Sequence, residues 1–173
     1  MLTRPAAAEH APYYGTYISL VPADGDVRDH LRAQLPETIA MLSGVDDARA
    51  SRGYGPGKWT LKESLLHVID AERVFAYRLL RIARGDATPL PGFEQDDWVP
   101  HSGANSRSVA SLLLELATVR ASTLQLMDSL DAAAWARRGT ASDKSVTARA
   151  IAYIISGHER HHQRIFRERY LAA

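Results

Sequence analysis

A chain of 173 residues is long enough to bury a core of its own, and 46% hydrophobic with 24% charged residues is the composition of an ordinary soluble globular domain. Twenty-one basic side chains against twenty acidic ones leave a net charge of +1, which supplies no basic footprint for nucleic acid and no attraction to an anionic membrane. With no cysteine in the chain, disulfides, thiolate nucleophiles and cysteine-based zinc or iron–sulfur centres are excluded, so any metal must be held by imidazole and oxygen.

Residues 1–23 read as an irregular lead-in broken by Pro5, Pro12, Gly15 and Pro22. Its start lacks the apolar segment of a signal peptide, and no stretch approaches roughly eighteen consecutive apolar residues, so no membrane span and a cytoplasmic location are expected. From about Asp26 to Leu42, the positions Val27, Leu31, Leu35, Ile39 and Leu42 recur at helical spacing. Pro36 inside that run predicts a kink or the end of a first segment, and Gly44 closes it. Residues 45–58 form a loop rich in Gly, Ser and Arg.

A second helix opens on Thr60 and Glu63, the pattern of a capping box, in which hydroxyl and carboxylate each satisfy a backbone amide. Leu61, Leu65, Val68, Phe75, Leu79 and Ile82 form its stripe, and Gly85 ends it. Residues 86–105 make an unusually long connection, and loops of that length inside a domain are often functional. A third helix is expected from about Ser106 to Leu130. Residues 131–146 then connect to a fourth, from near Thr147 to about Leu171. No β-type alternation or internal repeat is visible. Four long amphipathic helices predict an all-α four-helix bundle formed as one domain over residues 1–173, because each helix must bury one stripe.

Along the fourth helix, His158 and His162 fall in the middle of the apolar side formed by Ile151, Ile154, Ile155, Ile165 and Phe166, with His161 on its flank. Imidazoles on such a stripe need partners for their ring nitrogens. One turn apart, the pair points the same way and can ligate one ion. The bland reading is a pair of core histidines satisfied by hydrogen bonds. The segment also fits H-E-x-x-H, the metalloprotease signature with a glutamate base. The metzincin extension of that motif would need Gly and His where Ile165 and Glu168 stand, so the spacing supports a metal and not a protease.

Candidate third ligands are His10, His30, His67 and His101. His67 lies about 120° from the centre of the second helix's stripe, so periodicity alone does not select it. Glu72, by contrast, falls in the stripe's centre. It calls for a cation: an ion pair with Arg73, Arg78 or an arginine of another helix, or else a ligand or acid–base role.

The segments Trp59–His67 (WTLKESLLH), Asp70–Arg78 (DAERVFAYR) and Gly157–His162 (GHERHH) together resemble the DinB/YfiT-like superfamily, over most of the chain. The resemblance implies a four-helix bundle with a divalent ion, zinc or nickel, held by His67, His158 and His162. His161 matches no ligand position. It also implies homodimers and, in some members, transfer of a low-molecular-weight thiol to an electrophile, or a related hydrolysis. No catalytic base is singled out; Glu72, Tyr77, Asp96, Asp97 and His101 are candidate pocket members, whereas Tyr13, Tyr14, Trp98 and Trp135 read as packing residues. The alternative function is a metal-stabilised bundle that binds a small ligand or protein partner without chemistry. A third reading has no metal at all, with the histidines satisfied by carboxylates or backbone carbonyls.

Overall fold

A computed structural model describes residues 1–172. The lead-in is more ordered than its breakers suggest: two 3₁₀ turns, Ala7–Glu9 and Pro12–Tyr14, run into a short helix, α1 (Gly15–Ile18). The first long helix, α2 (Val27–Leu42), starts where the Asp26 carboxylate accepts from the Arg28 amide at 3.0 Å. It continues through Pro36, so no segment ends there. The proline removes a single backbone donor, and burial of Leu31, Gln34, Thr38 and Leu42 holds the helix on both sides of it.

A single-turn helix, α3 (Asp47–Ala50), precedes α4 (Leu61–Ala83). The capping box forms as expected: Glu63 N donates to Thr60 Oγ1 at 3.1 Å and Thr60 N to Glu63 Oε2 at 2.8 Å. The long connection holds another one-turn helix, α5 (Gln95–Trp98), before α6 (Val109–Asp128). Residues 131–146 are not a plain connection. They contain α7 (Ala132–Ala136) and most of an antiparallel hairpin, β1 (Arg138–Ala141) and β2 (Lys144–Thr147). Strands of four residues are too short to show alternation. The turn residues Ser142 and Asp143 both take positive φ without the Asn-Gly or Asp-Gly pair that marks such turns. The last helix, α8 (Ala148–Ile165), is capped by the Thr147 hydroxyl and passes into a π-helical turn, Phe166–Leu171.

The protein is a four-helix bundle of α2, α4, α6 and α8. Helix α4 packs against α6 and α8, and α2 packs against the same two, so the consecutive long helices α2 and α4 lie diagonally across the bundle. By length and mean hydropathy α6 could cross a membrane. The Arg120 side chain at its middle is fully buried between two glutamates, which makes α6 a helix that packs one face into the bundle.

Arg120 belongs to a polar layer that divides the core. On one side lie Val27, Leu31, Leu79, Met127 and Ile151 with their neighbours; on the other lie Leu42, Leu65, Leu112, Leu116 and Phe166 with theirs. Between them, Arg120 donates to Glu72 through Nε at 2.9 Å and Nη2 at 2.8 Å, to Glu159 at 2.8 Å, and to the Leu31 carbonyl at 2.8 Å. Thr38 and Gln34 donate to Glu159 at 2.7 and 3.0 Å. One side chain thereby bonds to all three other helices, and Glu72 is paired with an arginine of another helix rather than with Arg73 or Arg78.

Removing one member of such a network strands buried charge. Arg120→Met is expected to lower unfolding stability at pH 7 by roughly 3–5 kcal/mol in urea titration. Adding Glu72→Gln and Glu159→Gln to it should restore much of the loss. A single-variant loss below about 1 kcal/mol would show that the layer is not a structural node.

Candidate metal centre

The angular offset of His67 from the α4 stripe has a simple outcome. Helix α4 is buried on two faces, and the face carrying Ser64, His67 and Ala71 turns toward α8. On α8, the four-residue step from His158 to His162 puts both rings on the facing side. The three imidazoles meet. Their potential ligand atoms lie within 4.8 Å of one another, and all three residues are buried. His67 Nε2 and His158 Nε2 are 3.2 Å apart, close to the spacing of about 3.3 Å between two nitrogens on one tetrahedral ion with bonds near 2.05 Å. Three imidazoles without cysteine or carboxylate suit a borderline divalent ion such as zinc or nickel better than calcium or magnesium. The donor set therefore fits the metal that the sequence resemblance implies.

Burial pushes His67 down to about 4, and burial reinforced by the neighbouring imidazoles holds His158 and His162 well below the usual histidine range. All three are thus neutral at pH 7, the form in which imidazole offers a lone pair to a metal. The surroundings fix the rings. Ser64 Oγ lies 3.2 Å from His162 Nδ1, Trp59 packs on His67 at 5.1 Å between centroids, and Tyr17 sets its edge against His158 at 5.3 Å. Tyr170 donates its hydroxyl to the Trp59 carbonyl at 2.7 Å, holding the indole's backbone in place.

Glu159, the would-be base of the H-E-x-x-H pattern, faces the other way: it is bound by Arg120, Gln34 and Thr38 in the core. His161 is half-buried outside the triad and lines the cavity beside it. That cavity, about 430 Å³, is bordered by His67 and His162 and walled by Tyr13, Tyr17, Trp59 and Asp96 among others.

A model of the DinB superfamily matches residues 30–166. The chain belongs to the DinB superfamily. Among solved structures, this DinB chain is similar to YfiT from Bacillus subtilis, described as a probable metal-dependent hydrolase with an unusual four-helix bundle topology. The TM-score is 0.70 over 94% of this chain and 91% of that one, at 14% identity, a likeness of fold. No curated protein sequence matches it.

Several candidate pocket residues are placed elsewhere in this DinB chain. Glu72 is in the polar layer; Tyr77 is exposed and bonds to Arg81; Asp97 and His101 are exposed and line neither the cavity nor the smaller chambers around the triad. His10 and His30 bond to backbone carbonyls near the N-terminus. Of the long connection, Gln95 and Asp96 reach the cavity. Tyr13 and Tyr14, read as packing residues, instead line open space beside the histidines, as does Tyr17. Trp135 is buried in the core as expected. The signal for the tyrosines was Gly157. A Cβ there would sit 2.1 Å from the Tyr17 carbonyl oxygen, so the glycine is where α1 crosses α8 at close range.

Two outcomes follow. Gly157→Ala should push α1 away, raising amide exchange across residues 13–19 and costing about 1–3 kcal/mol as an overpacking change; unchanged exchange there would contradict the close crossing. In the unfolded chain the three histidines take up protons below about pH 6.5, whereas the folded chain keeps them neutral to lower pH. The unfolded state therefore binds more protons between about 6.5 and 4, and metal-free stability must fall as pH drops through that window. Urea midpoints of chelator-treated protein from pH 7.5 down to 5 check the sign, and a flat profile would refute it.

Proposed function

We propose that the chain binds one divalent ion, zinc or nickel, through His67, His158 and His162, and is an enzyme that transfers a low-molecular-weight thiol to an electrophilic substrate. The observation that supports this is the convergence of three neutral imidazoles at the wall of a cavity of about 430 Å³, with no fourth histidine or carboxylate in the cluster among the described residues. Three protein ligands beside open space is the arrangement of catalytic rather than structural sites. The ion, when bound, would supply Lewis acidity that lowers the pKa of a thiol or water and favours its anion at neutral pH. Trp59 and Tyr17 shield the imidazoles from bulk water, Ser64 orients His162, and Asp96 is a carboxylate on the cavity wall placed to accept a proton. In the transfer a sulfur–carbon bond forms, the electrophile's leaving group departs with its electron pair, and the thiol proton passes to solvent or to Asp96.

Asp96 also favours a second reading, hydrolysis with water in place of the thiol, which is the reaction class ascribed to YfiT. In either reading the partners are small molecules, with no nucleic acid or membrane, and the chain works in the cytoplasm as a homodimer.

Elemental analysis of untagged wild-type protein beside His158→Ala tests the site: about one ion per chain, absent from the variant, is expected. Turnover of thiol–electrophile pairs should then disappear with chelation. An Asp96→Asn variant that loses hydrolysis of esters or amides while thiol transfer stays absent would select the second reading. Bound metal that raises melting temperature with neither activity would reduce the site to a structural one.

A further inference from the structure

A second chamber, about 150 Å³, opens on the other side of the histidines. It is lined by His158 and His67, by Tyr14, Phe75 and Phe93, and by Arg78. It shares Tyr13, Tyr17, His67 and Gln95 with the larger cavity, so the two adjoin at the triad. Arg78 is only 3% exposed, yet no carboxylate pairs with it among the described residues. Its Nη2 donates to the Pro91 carbonyl at 2.7 Å and to Ser142 Oγ at 3.0 Å. Nε and Nη1 donate to nothing among the described residues. Phe75 and Phe93 lie 5.9 and 5.8 Å from the guanidinium carbon, which braces the group without neutralising it.

Nε and Nη1 of Arg78 are not sealed from solvent and can meet a ligand in the chamber, and a guanidinium so largely desolvated with no counter-charge favours an anion there. The other buried arginine of the bundle, Arg120, has two carboxylates. The turn that supplies Ser142 is itself held in an unfavourable conformation, with Ser142 at φ 51° and Asp143 at φ 59°. Such strain is kept where the surrounding structure imposes it. Here the imposing contacts are Ser142 N to the Leu90 carbonyl, and Arg78 to both Ser142 and Pro91.

We propose that Arg78 is the anchor for a carboxylate of the substrate, so that the enzyme takes small organic acids whose apolar segment lies between Phe75, Phe93 and Tyr14 and whose reacting carbon reaches the histidine triad. This rests on the triad being the reaction centre, and it names the substrate class of that centre. Binding would use Nε or Nη1, with the existing contacts of Nη2 to Pro91 and Ser142 fixing the guanidinium plane.

The test is calorimetric binding of 3-phenylpropionate against 3-phenylpropionamide, which differ in charge and little in shape. Wild type should prefer the acid by about tenfold or more, the worth of a charge-assisted hydrogen bond. Arg78→Gln should abolish the preference. Arg78→Lys should lose most of it, because an ammonium cannot hold Pro91 and Ser142 and also present a planar face to the ligand. His162→Ala, whose side chain lies outside the chamber and inside the triad, should keep the preference. A wild type indifferent to charge, or a preference unchanged in Arg78→Lys, overturns the proposal even if Arg78→Gln does not fold. A preference lost in His162→Ala and kept in Arg78→Gln assigns the carboxylate to the metal and also overturns it. If His162→Ala binds the acid normally while no metal is found in wild type, the anion site stands and the metal reading fails.

Discussion

The Arg120 guanidinium is the point on which the bundle closes. It carries one positive charge against the two carboxylates of Glu72 and Glu159, in a layer that excludes water from both sides. Attraction of that kind offsets desolvation only with good geometry and with the remaining lone pairs occupied. Thr38 and Gln34 occupy those of Glu159, and the Leu31 carbonyl takes another guanidinium donor. Because the partners come from all four long helices, a shift of any helix by one turn would leave buried charge unpaired. Apolar stripes alone tolerate such slippage; this layer does not.

That layer also sets the site. Glu159 follows His158 directly, so docking Glu159 onto Arg120 rotates α8 until His158 and His162 face α4 and α1. Likewise Glu72, one turn and a fraction beyond His67, fixes the rotation of α4. The register of the three clustered histidines is thus inherited from the polar core beneath them. The glutamate that gives the sequence its protease-like appearance is a structural anchor.

Helix existence and period were legible, because Leu and Ile repeats and the Thr60–Glu63 capping box are local signals. So was the pairing of His158 with His162 on one face. His67 was not legible from periodicity, since a stripe reports one buried face and α4 has two. It came from the family resemblance. The partner of Glu72 could not be chosen among arginines without knowing which helices are diagonal. The hairpin escaped because its strands are short and its turn breaks the usual residue preferences. The aromatic wall escaped because Tyr13, Tyr14 and Tyr17 sit in a segment full of breakers, whose docking depends on a single missing methyl at Gly157. Arg78 lay within the recognised segment, but nothing local distinguishes it from its charged neighbours on α4.

The crossing of α1 over α8 has a kinetic consequence. The walls of the cavity come from residues near 13–17, 59–67, 95–96 and 161–170, so the two ends of the chain must meet before it is enclosed. Helix α1 is a single turn with one buried side chain, Ile18, so it can detach from the bundle at a smaller cost than any of the long helices. Lifting α1 from Gly157 would uncover the histidines while leaving the contacts around Arg120 intact. Exchange between the cavity and solvent can then proceed by local opening of the N-terminal segment, at a rate set by one short helix and not by unfolding of the bundle.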